Sequence, residues 1–172
     1  MTVRALLRRR ERPPEAVLAT LTPDERVVSW ADAGAEAVVA TQFGLWWPEV
    51  DGPRLIRWQH IDKATWHDDV LTVIEAEVVD DFLLVDREPA AVALTRPRDL
   101  PPTVRKRIEQ NIVRTELLTI AGGAVRFVGR RRPGHDGVVW WARLEPGTPD
   151  GEQLRAAIRA RLAILRASES RD

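Results

Sequence analysis

Between Glu25 and Thr95 the chain is written as a ladder of short apolar segments, several carrying tryptophan: RVVSWAD, EAVVATQ, FGLWWPE, PRLIRW, DKATWHD, VLTVIEAE, DFLLVD and AAVALT. Their separators are turn-formers, among them Ala33-Gly34, Asp51-Gly52-Pro53 and Asp68-Asp69. Repeats of this kind at intervals of about 8 to 12 residues predict consecutive strands of an antiparallel meander. Parallel neighbours need a crossover of a dozen or more residues, usually a helix, and this stretch has no room for one.

Two proline-led segments flank the ladder. PPEAVLATL reads as a short helix entered through Pro13 and Pro14, since a first helical turn needs no backbone donor. Pro101 and Pro102 open a second helix, predicted over 103–118, in which Val104, Ile108 and Ile112 share one face while Arg105, Arg107 and Arg114 point elsewhere. A hairpin of GAVRFVGRR and GVVWWARLE follows, joined through the turn-rich run Arg132-Pro133-Gly134-His135-Asp136-Gly137. The last helix is expected to begin near Asp150, with Gln153 completing a capping box, and to bury Leu154, Ile158, Leu162 and Leu165. The fold class is therefore α+β: a curled, partly open antiparallel sheet capped by a helix, with a C-terminal β-hairpin and helix.

Adjacent strand residues point to opposite faces, so Trp46 and Trp47 cannot enter one core, nor can Trp140 and Trp141. Phe43, Leu45 and Trp47 share a face and leave Trp46 on the other; Val138, Trp140, Ala142 and Leu144 leave Trp141 likewise. Each odd tryptophan implies a second layer within the chain, such as a terminal helix or arm. The alternative is an exposed aromatic anchor for a partner.

The net charge of zero conceals three blocks of opposite sign: +4 over residues 1–14, −10 over 15–100 and +6 over 101–172. The basic C-terminal part and arm can lie against the acidic sheet, or they can face an external anion. The second possibility directs attention to Arg130, Arg131 and Arg132 on the hairpin and to Arg155 and Arg159 on the last helix. Guanidinium forks match phosphates as well as carboxylates, so nucleic acid is one candidate ligand. A block of −10 on the same small body would repel such a polyanion, however, and an acidic protein surface, or the chain's own sheet, accommodates the arginines with less strain.

From Leu21 through Ile74 the sequence resembles bacterial pleckstrin-homology-like (PH-like, GRAM-related) domains. The likeness is carried by Pro23-Asp24-Glu25 at the entry, the Thr-x-x-Gly-Leu turn at Thr41 to Leu45, and the step from Trp58-Gln-His-Ile61 into Trp66. It extends over about residues 15–119, leaving 1–14 as a basic arm and 120–172 as an unmatched hairpin-plus-helix extension. The resemblance implies a curled sheet closed by a helix, and adaptor-like binding of peptides, proteins or lipid headgroups. Lipid-binding members place basic residues in the loop joining the first two strands. Here that loop is Asp32-Ala-Gly-Ala-Glu36, which argues against a phosphoinositide.

Chemistry-bearing motifs are sparse. There is no cysteine, and His60, His67 and His135 stand near Asp62, Asp68, Asp69 and Asp136 at spacings that fit no compact metal motif. No catalytic, cofactor-binding or metal-ligating residue is assigned. The longest apolar runs fall far short of the roughly 20 residues of a membrane span, and Arg8, Arg9 and Arg10 occupy the place of a signal peptide's apolar stretch. These features predict a non-enzymatic cytoplasmic binding module, meeting an unidentified protein partner or a second copy of itself through Trp46, Trp141, Arg130, Arg131, Arg132, Arg155 and Arg159. Nucleic-acid binding through the arginine-rich C-terminal part, or a peripheral membrane role for the arm and last helix, are the alternatives.

Overall fold

The structure, a computed structural model, describes residues 12–169. All but the last three residues of the basic arm expected over 1–14 lie outside that range. Strands β1 (Val27–Ala33), β2 (Glu36–Thr41), β3 (Gly44–Trp47) and β4 (Arg54–Arg57) form a four-stranded antiparallel sheet in sequence order. A single 3-10 turn at Trp58–His60 leads into β5 (Ile61–His67) and the long β6 (Val70–Val79), followed by β7 (Leu83–Asp86) and β8 (Ala90–Ala93). The first half of β6 lies between β5 and β8, and its second half pairs with β7.

The paired aspartates of the turns have a backbone role. Asp68 and Asp69 between β5 and β6 have φ of 47° and 61°, and Asp80 and Asp81 between β6 and β7 have 51° and 62°. A type I′ turn, whose twist suits a hairpin, has left-handed residues at both central positions, and aspartate tolerates that conformation better than most residues. These carboxylates therefore shape the hairpins as well as solubilising their ends.

The two sheets face each other over the first core, where Leu45, Trp47, Ile56, Trp58, Ile61, Leu71 and Val73 are buried. Helix α2 (Leu100–Asn111) closes it with Leu100, Val104 and Ile108. Beyond β8, Thr95 donates its backbone N–H to the Asp32 carbonyl at 2.9 Å, tying that segment to β1 and curling the sheets toward one another. Gly44 permits the close approach of β3 to β4, since a Cβ there would come within 2.3 Å of the Ile56 carbonyl oxygen.

The second helix is shorter than expected. It ends at Asn111, and Ile112–Ile120 form strand β9 instead of extending the helix to 118. Ile112, Val113, Thr115, Thr119 and Ile120 are β-branched, which disfavours a helix and suits a pleated surface. Strands β10 (Gly123–Arg131) and β11 (Val138–Leu144) complete the expected hairpin, with β9 on the outside of β10. The sheet runs β5-β6-β7-β11-β10-β9.

One joint in it is parallel: Ala142 of β11 lies opposite Leu83 of β7, and its N–H donates to the Phe82 carbonyl at 2.8 Å. The sheet is thus mixed where the strand rhythm predicted an antiparallel one. Between β7 and β11 the chain runs through β8, α2, β9 and β10, a connection long enough to return in the same direction.

Helix α3 (Glu152–Glu169) lies on one face of this second half. Leu154, Ile158, Leu162 and Leu165 are buried against Phe82, Val125, Phe127 and Trp140, as their helical spacing requires. Each contributes roughly 2 kcal/mol from apolar burial. The Asp150 carboxylate, expected to cap the helix, holds the Arg155 guanidinium through both oxygens at 2.8 and 2.6 Å.

Candidate interaction surface

Both odd tryptophans find their second layer within the chain. Trp46 packs beside Ala37 and Val39 under Val17 of the short helix α1 (Glu15–Leu18). Its indole N–H donates to the buried Glu25 carboxylate at 2.9 Å, which also accepts from Thr41 Oγ1 at 2.6 Å. Trp141 is buried with Ala76 and Leu84, its ring 5.8 Å from that of His60.

Arg130 and Arg131 separate for the same geometric reason as the tryptophans, and Arg132 lies beyond the end of β10. Arg130, on β10, points into the junction with β5 and is 1% exposed, whereas Arg131 and Arg132 face solvent. One Arg130 terminal nitrogen donates to the carbonyls of Ile61 at 2.7 Å and Gln59 at 3.3 Å, and the other to Asp62 at 3.0 Å. Asp62 also meets Arg143 of β11 at 2.9 Å, and Arg143 reaches Asp86 of β7 at 2.6 Å. Burial lowers the Arg130 pKa from its ordinary value, with the Asp62 charge opposing that effect. Sequence reasoning passed over Arg143, although a lone arginine flanked by apolar residues in VVWWARLE marks a cation that needs a buried partner.

The last helix uses its arginines internally as well. Arg155 bridges Asp150 and Asp80. Arg159 lies over the Phe82 ring, 4.8 Å from its centroid, and reaches Glu152 at 3.3 Å. Arg166 donates to the Trp140 carbonyl at 3.1 Å. Four of these contacts, Arg130 to Asp62, Arg143 to Asp62 and to Asp86, and Arg155 to Asp80, join the cationic C-terminal block to the acidic middle of the chain.

Among the described residues of that block this neutralisation leaves over Lys106, Arg107 and Arg114, and, together at one end of the hairpin, Arg131 and Arg132. Arg131 and Arg132 form no ion pair among the described residues, and they border a shallow concavity of about 400 Å³ lined also by Val113, His135, Asp136 and Val138. The concavity owes its shape to a wide turn between β10 and β11, in which Gly134 and Gly137 take φ of 81° and 89°. Its base is pinned by the Asn111 side-chain amide, which donates to the Arg131 carbonyl at 2.6 Å. A Cβ on Gly134 would stand 3.4 Å from the Phe43 ring, so the turn rests against the β2–β3 connection.

His60 is half-buried, and desolvation holds its pKa below the ordinary value, with the Glu75 charge opposing and the Arg130 charge reinforcing the shift. His67 is exposed beside Asp68. Among the described residues no group of three or more His, Cys, Asp or Glu is placed to hold a metal ion, and no helix is long and apolar enough to cross a membrane. No protein-family model, curated protein or solved structure matches the chain.

Proposed function

We propose that the protein is a non-enzymatic binding module that docks an acidic segment of a protein partner on the concavity beside Arg131 and Arg132. The observation that carries this reading is subtractive: the arginines that face the acidic middle are consumed by it, while these two stand at the rim of a concavity without an ion pair among the described residues. Val113 and Val138 supply apolar lining next to the cations, a combination suited to a peptide carrying both apolar and acidic side chains. The adaptor-like behaviour implied by the PH-like resemblance supports the same reading.

A charge-tracking role on nucleic acid calls for a longer run of free cations than this rim supplies. Anisotropy titrations near 0.15 M salt, where charges are screened beyond about 8 Å, separate the two. A labelled glutamate-rich peptide containing valine should bind, and R131E/R132E should lose it. Micromolar binding of a random oligonucleotide that disappears in the same variant would overturn the proposal, as would peptide binding indifferent to the substitution.

A further inference from the structure

Strand β9 ends the second sheet: among the described residues its only strand partner is β10. Its other edge presents backbone donors and acceptors that no strand among the described residues pairs, flanked by Val113 at 45% exposed and Leu117 at 56%. Natural edge strands of this length are ordinarily shortened, covered or heavily charged, because a free edge templates further pairing. Here a single cation, Arg114, and a single anion, Glu116, sit two residues apart on the α3 side of the strand.

Only one two-fold register of β9 with itself makes these opposite charges meet. In a two-fold antiparallel pairing, opposed residues must turn their backbone groups either both toward or both away from the partner, so the axis passes through a residue. An axis at Arg114 opposes two arginines, and an axis at Glu116 opposes two glutamates, both destabilising. An axis at Thr115 instead sets Arg114 against Glu116 of the second copy, Glu116 against its Arg114, and threonine against threonine. Leu117 then falls beside Val113 of the second copy.

We infer that β9 pairs antiparallel with β9 of a second copy of this chain, in the register centred on Thr115, so that the second sheet continues through the dimer. The zero net charge of the chain removes long-range repulsion between copies. Two features keep the contact modest in strength. A bulge at Val113, where the pairing with β10 shifts between Gly129 and Arg130, limits regular pairing to the strand beyond it, and Glu116 already holds Arg161 at 2.5 Å. The inference does not rest on the docking of an acidic segment: it uses neither Arg131 nor Arg132, and shares only Val113 with the concavity.

The register makes an uncommon demand on charge-swapped variants. In R114E the dimer would oppose glutamates twice, and in E116R it would oppose arginines twice, yet a mixture of the two variants restores both opposite-charge pairs. Sedimentation velocity over a range centred on micromolar concentrations should show wild-type self-association. Each single variant should be weakened by about tenfold or more, and an equimolar mixture should return to wild-type behaviour. Because Glu116 also has an internal partner, L117K serves as a second variant at a solvent-facing position and should be monomeric while keeping the wild-type circular dichroism spectrum. A wild-type protein that stays monomeric throughout, or variants, L117K included, that dimerise as well as wild type, refutes the self-pairing. Association that L117K abolishes but the mixture fails to restore refutes this register.

Discussion

Replacing Arg130 tests whether the junction between the two halves is held by charge or by geometry. The side chain is buried and donates to two carbonyl oxygens, those of Ile61 and Gln59, as well as to Asp62. Arg130→Met retains much of the volume but withdraws all three donations. Each charged hydrogen bond to a carbonyl is worth about 1.5 kcal/mol. Asp62 keeps Arg143 and is partly solvated, so its loss adds roughly 0–1 kcal/mol. The expected destabilisation is about 3 kcal/mol, which at an m-value near 2 kcal/mol/M lowers the urea midpoint by about 1.5 M. Arg130→Lys preserves the charge but not the planar fork that reaches two carbonyls and a carboxylate together, so it should recover less than half of that loss. Urea unfolding followed by tryptophan fluorescence measures both. A lysine variant equal to wild type would show that charge alone suffices, and a methionine variant within about 1 kcal/mol of wild type would refute the geometric account altogether.

Two further outcomes follow from local geometry. Gly44→Ala would drive a Cβ to 2.3 Å from the Ile56 carbonyl oxygen and 2.9 Å from the Arg57 Cα, a clash with backbone that only separation of β3 from β4 relieves. A loss of at least about 3 kcal/mol, read as a fall of roughly 10 °C in Tm, is expected in a thermal melt. His60 has a folded pKa below its unfolded value, so below about pH 6.5 the unfolded chain binds more protons and stability falls with pH until the folded pKa is passed. The wild-type minus His60→Gln difference in stability should therefore be flat above that pH and decline beneath it; a difference that rises on acidification contradicts the assignment.

Much of this architecture could be read before any coordinates. The eight segments between Glu25 and Thr95 all became strands, and parity along FGLWWPE and VVWWARLE placed Trp47 and Trp140 in the main cores and their neighbours in separate clusters. The same parity, applied to Arg130, Arg131 and Arg132, would have shown that they could not share one face. The passage from α2 to β9 was harder to see. Val104 and Ile108 follow a true helical stripe, and Ile112 falls in step with it although it begins a strand. No glycine or proline stands between Thr103 and Ile120 to mark the change, so the β-branched content of IVRTELLTI was the sole local signal. The concavity depends on the shape of a wide turn and on which arginines are consumed elsewhere, both consequences of tertiary packing.

The ten-residue β6 has mechanical consequences for the whole molecule. Leu71 and Val73 in its first half belong to the core beneath α2, while Ala76 in its second half packs with Trp141. One unbroken strand thus serves as a common beam, bonded along its length to β5, β8 and β7. Bending it between the two halves would break ladder hydrogen bonds on both flanks, whereas a flexible linker would yield without such loss. A pull on the hairpin rim passes through β11 and β7 into this beam, and through the turn's contact with Phe43 into the first sheet, with little of it dissipated in rotation. Anything captured at the rim is therefore held in fixed orientation to the opposite end of the molecule, as on a bracket.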